Sequence, residues 1–136
     1  MGSGINYNDA YGIRYVKKIS GALNVGRLEK YMIIKAFKMK VYEGCEAEYE
    51  KRHRNIWPEM RDILFEHGCR KFEIFLDDET NILFGYIEIE DEAKWALRDD
   101  TAINRKWWDY MADMMETNEE NSPVSIDLKN VFHMEK

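Results

Sequence analysis

The hydrophobic period changes from two to about 3.6 and back along the chain, and it does so twice after residue 32. Ile33 and Ile34 lead into Phe37, Met39 and Val41 alternating with Lys38 and Lys40, which predicts a strand over residues 32–42. Glu43-Gly44 ends it. Glu46, Glu48 and Glu50 then fall where a helix macrodipole favours negative charge. Tyr49, His53, Ile56, Trp57, Met60, Ile63, Leu64 and His67 recur at spacings of one, three and four, so a helix reaching residue 66 with one inward stripe is expected. Pro58 interrupts it. A kink, or a break and restart, is expected near Asn55 with the proline in a first turn, and His67-Gly68 is the stop.

The second half repeats the scheme. Phe72, Ile74 and Leu76 share one face of a strand over 71–76, a polar turn covers 77–81, and a third strand follows over 82–89, the two pairing as a hairpin. Residues 91–97 suit a short helix. Asp99-Asp100-Thr101 offers caps for a longer one through Met115, with Ile103, Trp107, Met111 and Met114 inward and Trp108 and Met115 flanking. Residues 116–123 are turn-like, and a final strand is expected over 130–134.

The order β-α-β-β-α-β is that of a ferredoxin-like α+β fold, an antiparallel sheet with helices on one face. The third strand is apolar on both faces, which requires a cover on the open side as well, and a second copy would supply it. A homodimer is expected. Residues 1–31 are glycine-rich and without a sustained period; they read as an N-terminal extension carrying no function, in front of one domain over 32–136.

Composition narrows the chemistry by exclusion. A formal charge of −6 argues against nucleic acid, whose binding draws on clustered Lys and Arg. Eight Tyr, six Phe and four Trp supply flat apolar surfaces, suited to a small neutral ligand. Cys45 and Cys69 have no disulfide framework or metal spacing, no apolar run is long enough to span a bilayer, and no secretory pattern opens the chain, so a cytoplasmic protein is expected. No Gly-rich phosphate loop, nucleophile elbow or HExxH is present, and the three histidines lie far apart with no ligand spacing, so a metal is not expected.

What remains is Tyr49 and His53, four residues apart on an inward helical face, a phenol and an imidazole that titrates near working pH. A hydrogen-bonded structural histidine and a core tyrosine would give the same pattern. Trp107 and Trp108 diverge by about 100° on a helix, so one indole can enter the core while the other flanks a cleft; two packing residues at a dimer seam would look alike. His67 reads as a helix end and His133 as a strand residue.

Several motifs occur together in order: Lys35-Ala36-Phe37, Glu48-Tyr49, Arg52-His53, Asn55-Ile56-Trp57-Pro58-Glu59, Leu83-Phe84, Trp107-Trp108 followed by Tyr110-Met111, and Asn121-Ser122-Pro123-Val124-Ser125. From residue 32 to the end the chain resembles the L-rhamnose mutarotase family. The resemblance implies a dimeric ferredoxin-like α/β barrel that interconverts, without cofactor, the α and β anomers of a small neutral monosaccharide, L-rhamnose or a related neutral deoxy sugar. It implies that His53 is the proton donor and that Tyr49, Trp107 and Trp108 bind the sugar. Phe72 stands where the family has a sugar-binding tyrosine, so the aromatic face is kept and a hydroxyl is lost. Two rivals accompany this expectation: a cofactor-less oxygenase-like enzyme of the same fold, and a non-catalytic sugar-binding module.

Overall fold

Lys30–Lys40 forms β3, an 11-residue strand around which the remainder assembles. The structure is a computed structural model, describing the backbone of residues 4–9, 12–19 and 30–136 and side chains from residue 32 onward. Along β3 the β-branched and aromatic residues alternate with lysine, so Ile33, Phe37 and Met39 point to one side and Ile34, Ala36 and Lys38 to the other.

β3 is followed by α1 (Glu46–Arg54), α2 (Pro58–Glu66), β4 (Cys69–Asp77), β5 (Ile82–Ile89), α3 (Glu92–Ala96), a short 3-10 turn, α4 (Ala102–Met111) and β6 (Ile126–Asp127). β5 lies between β3 and β4 and is antiparallel to both, while β6 pairs with the far edge of β3. The fold is thus mixed α+β on an antiparallel sheet. Met39, Val41 and Leu83 from the sheet meet Tyr49, Met60, Trp107 and Met111 from the helices in the main core, and Cys69, Ile87, Ile89 and Trp95 form a second cluster beneath α3.

The break before Pro58 is present: α1 ends at Arg54, and Pro58 opens α2, where its missing N–H is no loss. Gly68 has φ +90° after the α2 end, a left-handed position that favours glycine. Gly85 answers a different need. It lies opposite Phe37, and a Cβ there would overlap the Phe37 ring, so the ring lies flat on the sheet.

Four expectations need correction. α4 stops at Met111 rather than Met115, because Met115 turns back to bridge Val41 and the Glu116 N–H donates to the Lys40 carbonyl. No strand forms over 130–134. The last strand is β6, where Leu128 N–H still donates to Ala36 O; further along that edge Ile34 and Ile33 are paired with Tyr15 and Val16. His133 is therefore outside any strand and meets Glu135 at 3.2 Å. Lastly, β1 (Gly4–Asp9) and β2 (Gly12–Ile19) form a hairpin that extends the sheet from β3, although their sequence shows no period. Other residues of the 1–31 stretch, and with them most of the expectation that it carries no function, lie outside the described residues.

The sheet face away from the helices carries Ile34, Ala36, Phe75, Phe84 and Tyr86 by register. Phe75 is 59 % and Phe84 36 % exposed, so apolar surface is open there. Among the described residues, no helix is long and apolar enough to cross a membrane.

Candidate active site

α1 begins with Glu46 and Glu48 and ends with Lys51, Arg52, His53 and Arg54, a charge order that suits the helix dipole. One turn apart, Tyr49 and His53 stack with ring centroids 4.3 Å apart. His53 Nδ1–H donates to the Tyr49 carbonyl at 3.1 Å, since a carbonyl can only accept. That bond fixes the tautomer and leaves Nε2 for a substrate. Burial, opposed by the bond to the carbonyl, pulls the imidazole below its ordinary value of 6.5, so the neutral form dominates at pH 7. Burial likewise pushes the Tyr49 phenol well up, and it stays protonated.

The Trp107 ring meets His53 edge-on at 5.4 Å and Trp57 edge-on at 5.1 Å. α1 is tied to α4 here by Arg52. Its guanidinium lies 4.3 Å over the Tyr110 ring and bonds Tyr110 O at 2.5 Å, Asp113 at 3.0 Å and Glu48 at 3.0 Å.

A cavity of about 1470 Å³ opens between helices and sheet, and all five residues singled out from the sequence line it: Tyr49, His53, Phe72, Trp107 and Trp108. Tyr49 and Trp107 are buried at 6 % and 7 % exposure, with Trp108 half-buried. Phe72 stands apart from the imidazole in a second aromatic row, edge-on to Phe37 at 6.2 Å and to Trp95 at 6.4 Å. His67 offers an instructive contrast. It makes the same bond to the carbonyl four residues back, at 2.8 Å, but does not line the cavity. Trp57 packs on Trp107 without reaching the cavity.

Two further lining residues are notable for their surroundings. Arg98 stacks over Trp95 at 3.9 Å and pairs with Asp99 at 2.8 Å; nothing in the sequence separates it from other surface arginines. Asn104 is 2 % exposed, and its amide nitrogen has no hydrogen-bond partner. Its signal was a polar residue three and four positions before the tryptophan pair, on an otherwise apolar stripe. Among the described residues, no group of three or more His, Cys, Asp and Glu side chains stands together as a metal site would require.

A family profile described as L-rhamnose mutarotase matches residues 35–134. An L-rhamnose mutarotase of Lachnoclostridium phytofermentans is 58 % identical over 104 residues, spanning 76 % of this chain and all of that one. The crystal structure of an L-rhamnose mutarotase from Formosa agariphila superposes with a TM-score of 0.69 at 42 % identity, over 75 % of this chain and 98 % of that one. A candidate antibiotic biosynthesis monooxygenase from Nitrosomonas europaea shares the fold at 16 % identity and a TM-score of 0.53, over 78 % of this chain and 96 % of the other. With a family match across most of its length and a relative of this identity, the chain belongs to the L-rhamnose mutarotase family.

Proposed function

We propose that the chain interconverts the α and β anomers of L-rhamnose in this cavity, with His53 moving the proton and Tyr49, Phe72, Trp107 and Trp108 holding the sugar. The observation that carries the assignment of His53 is the bond from Nδ1–H to the Tyr49 carbonyl, which leaves a neutral, cavity-lining imidazole with Nε2 as its acceptor. Family membership supports the reaction and the sugar.

Ring opening takes the proton from the anomeric hydroxyl, breaks the bond from C1 to the ring oxygen and leaves that oxygen as a hydroxyl and C1 as an aldehyde. Both oxygens are bonded to the same carbon. Nε2 can therefore accept the proton from one and, as imidazolium, donate it to the other, so His53 acts as the proton donor to the ring oxygen. Rotation about the bond from C1 to C2 presents the other aldehyde face, and the reverse transfer closes the ring. Atoms and charge balance without a second titratable group. Tyr49, protonated and stacked on the imidazole, donates to a sugar oxygen, and the indoles cover the C–H side of the ring. Phe72, edge-on to Phe37 and Trp95, gives an apolar wall that suits the methyl group of a deoxy sugar.

The working unit is a ferredoxin-like domain over 32–136, paired through the open sheet face as a dimeric barrel; exposed Phe75 and Phe84 support that pairing. The free thiols Cys45 and Cys69 suit a cytoplasmic enzyme.

Magnetisation transfer between the two anomeric protons of L-rhamnose tests the reaction at equilibrium. The wild type accelerates exchange, and His53→Ala lowers the enzyme-dependent rate by at least ~10²-fold, the low end for loss of a general acid or base, while still binding sugar. An unchanged rate in His53→Ala would sink the assignment of His53, and sugar binding without any exchange by the wild type would leave a binding module instead.

A further inference from the structure

We propose that Asn104 is a positioning residue for the sugar, its carboxamide bonding one ring hydroxyl; this rests on the cavity being the sugar site. The backbone N–H of Asn104 is accounted for, since Thr101 Oγ1 caps it at 3.3 Å. The side chain is not. It is 2 % exposed, lines the cavity and has an amide nitrogen without a partner. Buried amides are nearly always bonded, because one left unmade costs the fold stability. Packing gives no reason for a polar group here, as the same stretch of α4 presents Ile103, Trp107 and Met111 to the core.

The position says what completes the bond. Asn104 lies three and four residues before Trp107 and Trp108, about one helical turn along the same wall. A sugar ring covered by an indole turns its hydroxyls outward around its rim, and an amide one turn along is placed to meet one of them. A carboxamide offers donor and acceptor from one planar group, and a hydroxyl both donates and accepts. An anionic ligand would use only the N–H side and would draw on a guanidinium, but of the arginines lining the same cavity Arg98 is committed to Asp99 and the Trp95 carbonyl, and Arg105, next to Asn104 in the chain, to Asp100. A neutral polyhydroxyl ligand fits best. Asn104 thereby supplies a polar contact to a cavity in which Phe72 offers none.

The test follows the Asn104 side-chain NH₂ resonance in ¹⁵N-labelled protein, assigned by its loss in Asn104→Leu, during titration with L-rhamnose. The resonance pair shifts on binding, and Asn104→Leu raises Kd about 2- to 13-fold, as loss of one net hydrogen bond does. The thermal midpoint of the sugar-free variant does not fall, since an apolar side chain of similar size leaves no unmet donor. Monodeoxy analogues locate the partner: the one lacking the bonded hydroxyl binds Asn104→Leu no more weakly than it binds wild type. An unmoved resonance with unchanged Kd, or equal loss for every analogue, overturns the assignment, and Asn104→Ala carries the same measurements if the leucine variant does not fold. Normal wild-type exchange with those negative results overturns Asn104 alone. Sugar binding without exchange overturns the mutarotase reading alone, and a wild type that binds no sugar overturns both.

Discussion

Two aromatic rows wall the cavity, and they differ in what accompanies the rings. Around His53, the rings of Tyr49 and Trp107 enclose an imidazole whose tautomer and charge are set by one backbone bond and by burial. Around Phe72, the rings of Phe37 and Trp95 enclose hydrocarbon, the nearby Cys69 thiol is pushed up by burial, and Arg98 is occupied by Asp99. One side can move a proton; the other can only exclude water and set shape. Aromatic density by itself therefore does not mark chemistry. A ring becomes a chemical site where a neighbouring bond leaves one titratable atom uncommitted.

The largest effect should come from the first row. Besides the loss of at least ~10²-fold in exchange, His53→Ala should erase an acid limb in the pH profile. Neutral His53 begins the cycle, so wild-type exchange is level at and above pH 7 and drops about tenfold per pH unit below the lowered pKa. Stability has the same sign: from 6.5 down to that lower value only the unfolded chain takes up the proton, and the fold weakens as pH falls. An acid limb that persisted in the alanine variant would mean that another group starts the reaction.

The second row breaks through its support. Gly85→Val should drive Phe37 off the sheet and cost ~1–3 kcal/mol by overpacking, seen as a lower urea midpoint. A midpoint equal to wild type would show that the Phe37 ring is not pinned there. The smallest change is the sharpest. Phe72→Tyr adds a hydroxyl to the apolar wall and should tighten L-rhamnose binding by about 2- to 13-fold if the sugar reaches it, with saturated exchange unaltered. A change in saturated exchange instead would place Phe72 in the reaction and dissolve the division between the rows.

The sequence made local features readable and non-local ones obscure. The break before Pro58, the stop at Gly68 and the β4–β5 hairpin depend on residues adjacent in the chain, and each is where its pattern put it. The end of α4 and the place of the last strand depend on competition for β3: Met115 is drawn to Val41, and β2 occupies the edge that a strand over 130–134 would use. Tyr49 and His53 were legible because one helical turn relates them. Their nearness to Trp107 is not a local property; it came from the motif resemblance and, in the structure, from packing across the core. Asn104 left only a faint trace in the sequence, a polar residue on an apolar stripe, because what distinguishes it is a buried amide without a partner, a property of the packing around it.

Arg52 adjoins His53 in sequence and grips the last turn of α4 through Tyr110 and the segment just after it through Asp113. The gap between imidazole and indole is thus held in part by a clasp whose acidic arm, Asp113, is open to solvent at 66 % side-chain exposure. Dissolved ions weaken such a clasp, while excluded salts such as sulfate strengthen apolar burial. Ionic strength should therefore act oppositely on the two: in concentrated sulfate the protein should melt at a higher temperature while anomer exchange slows.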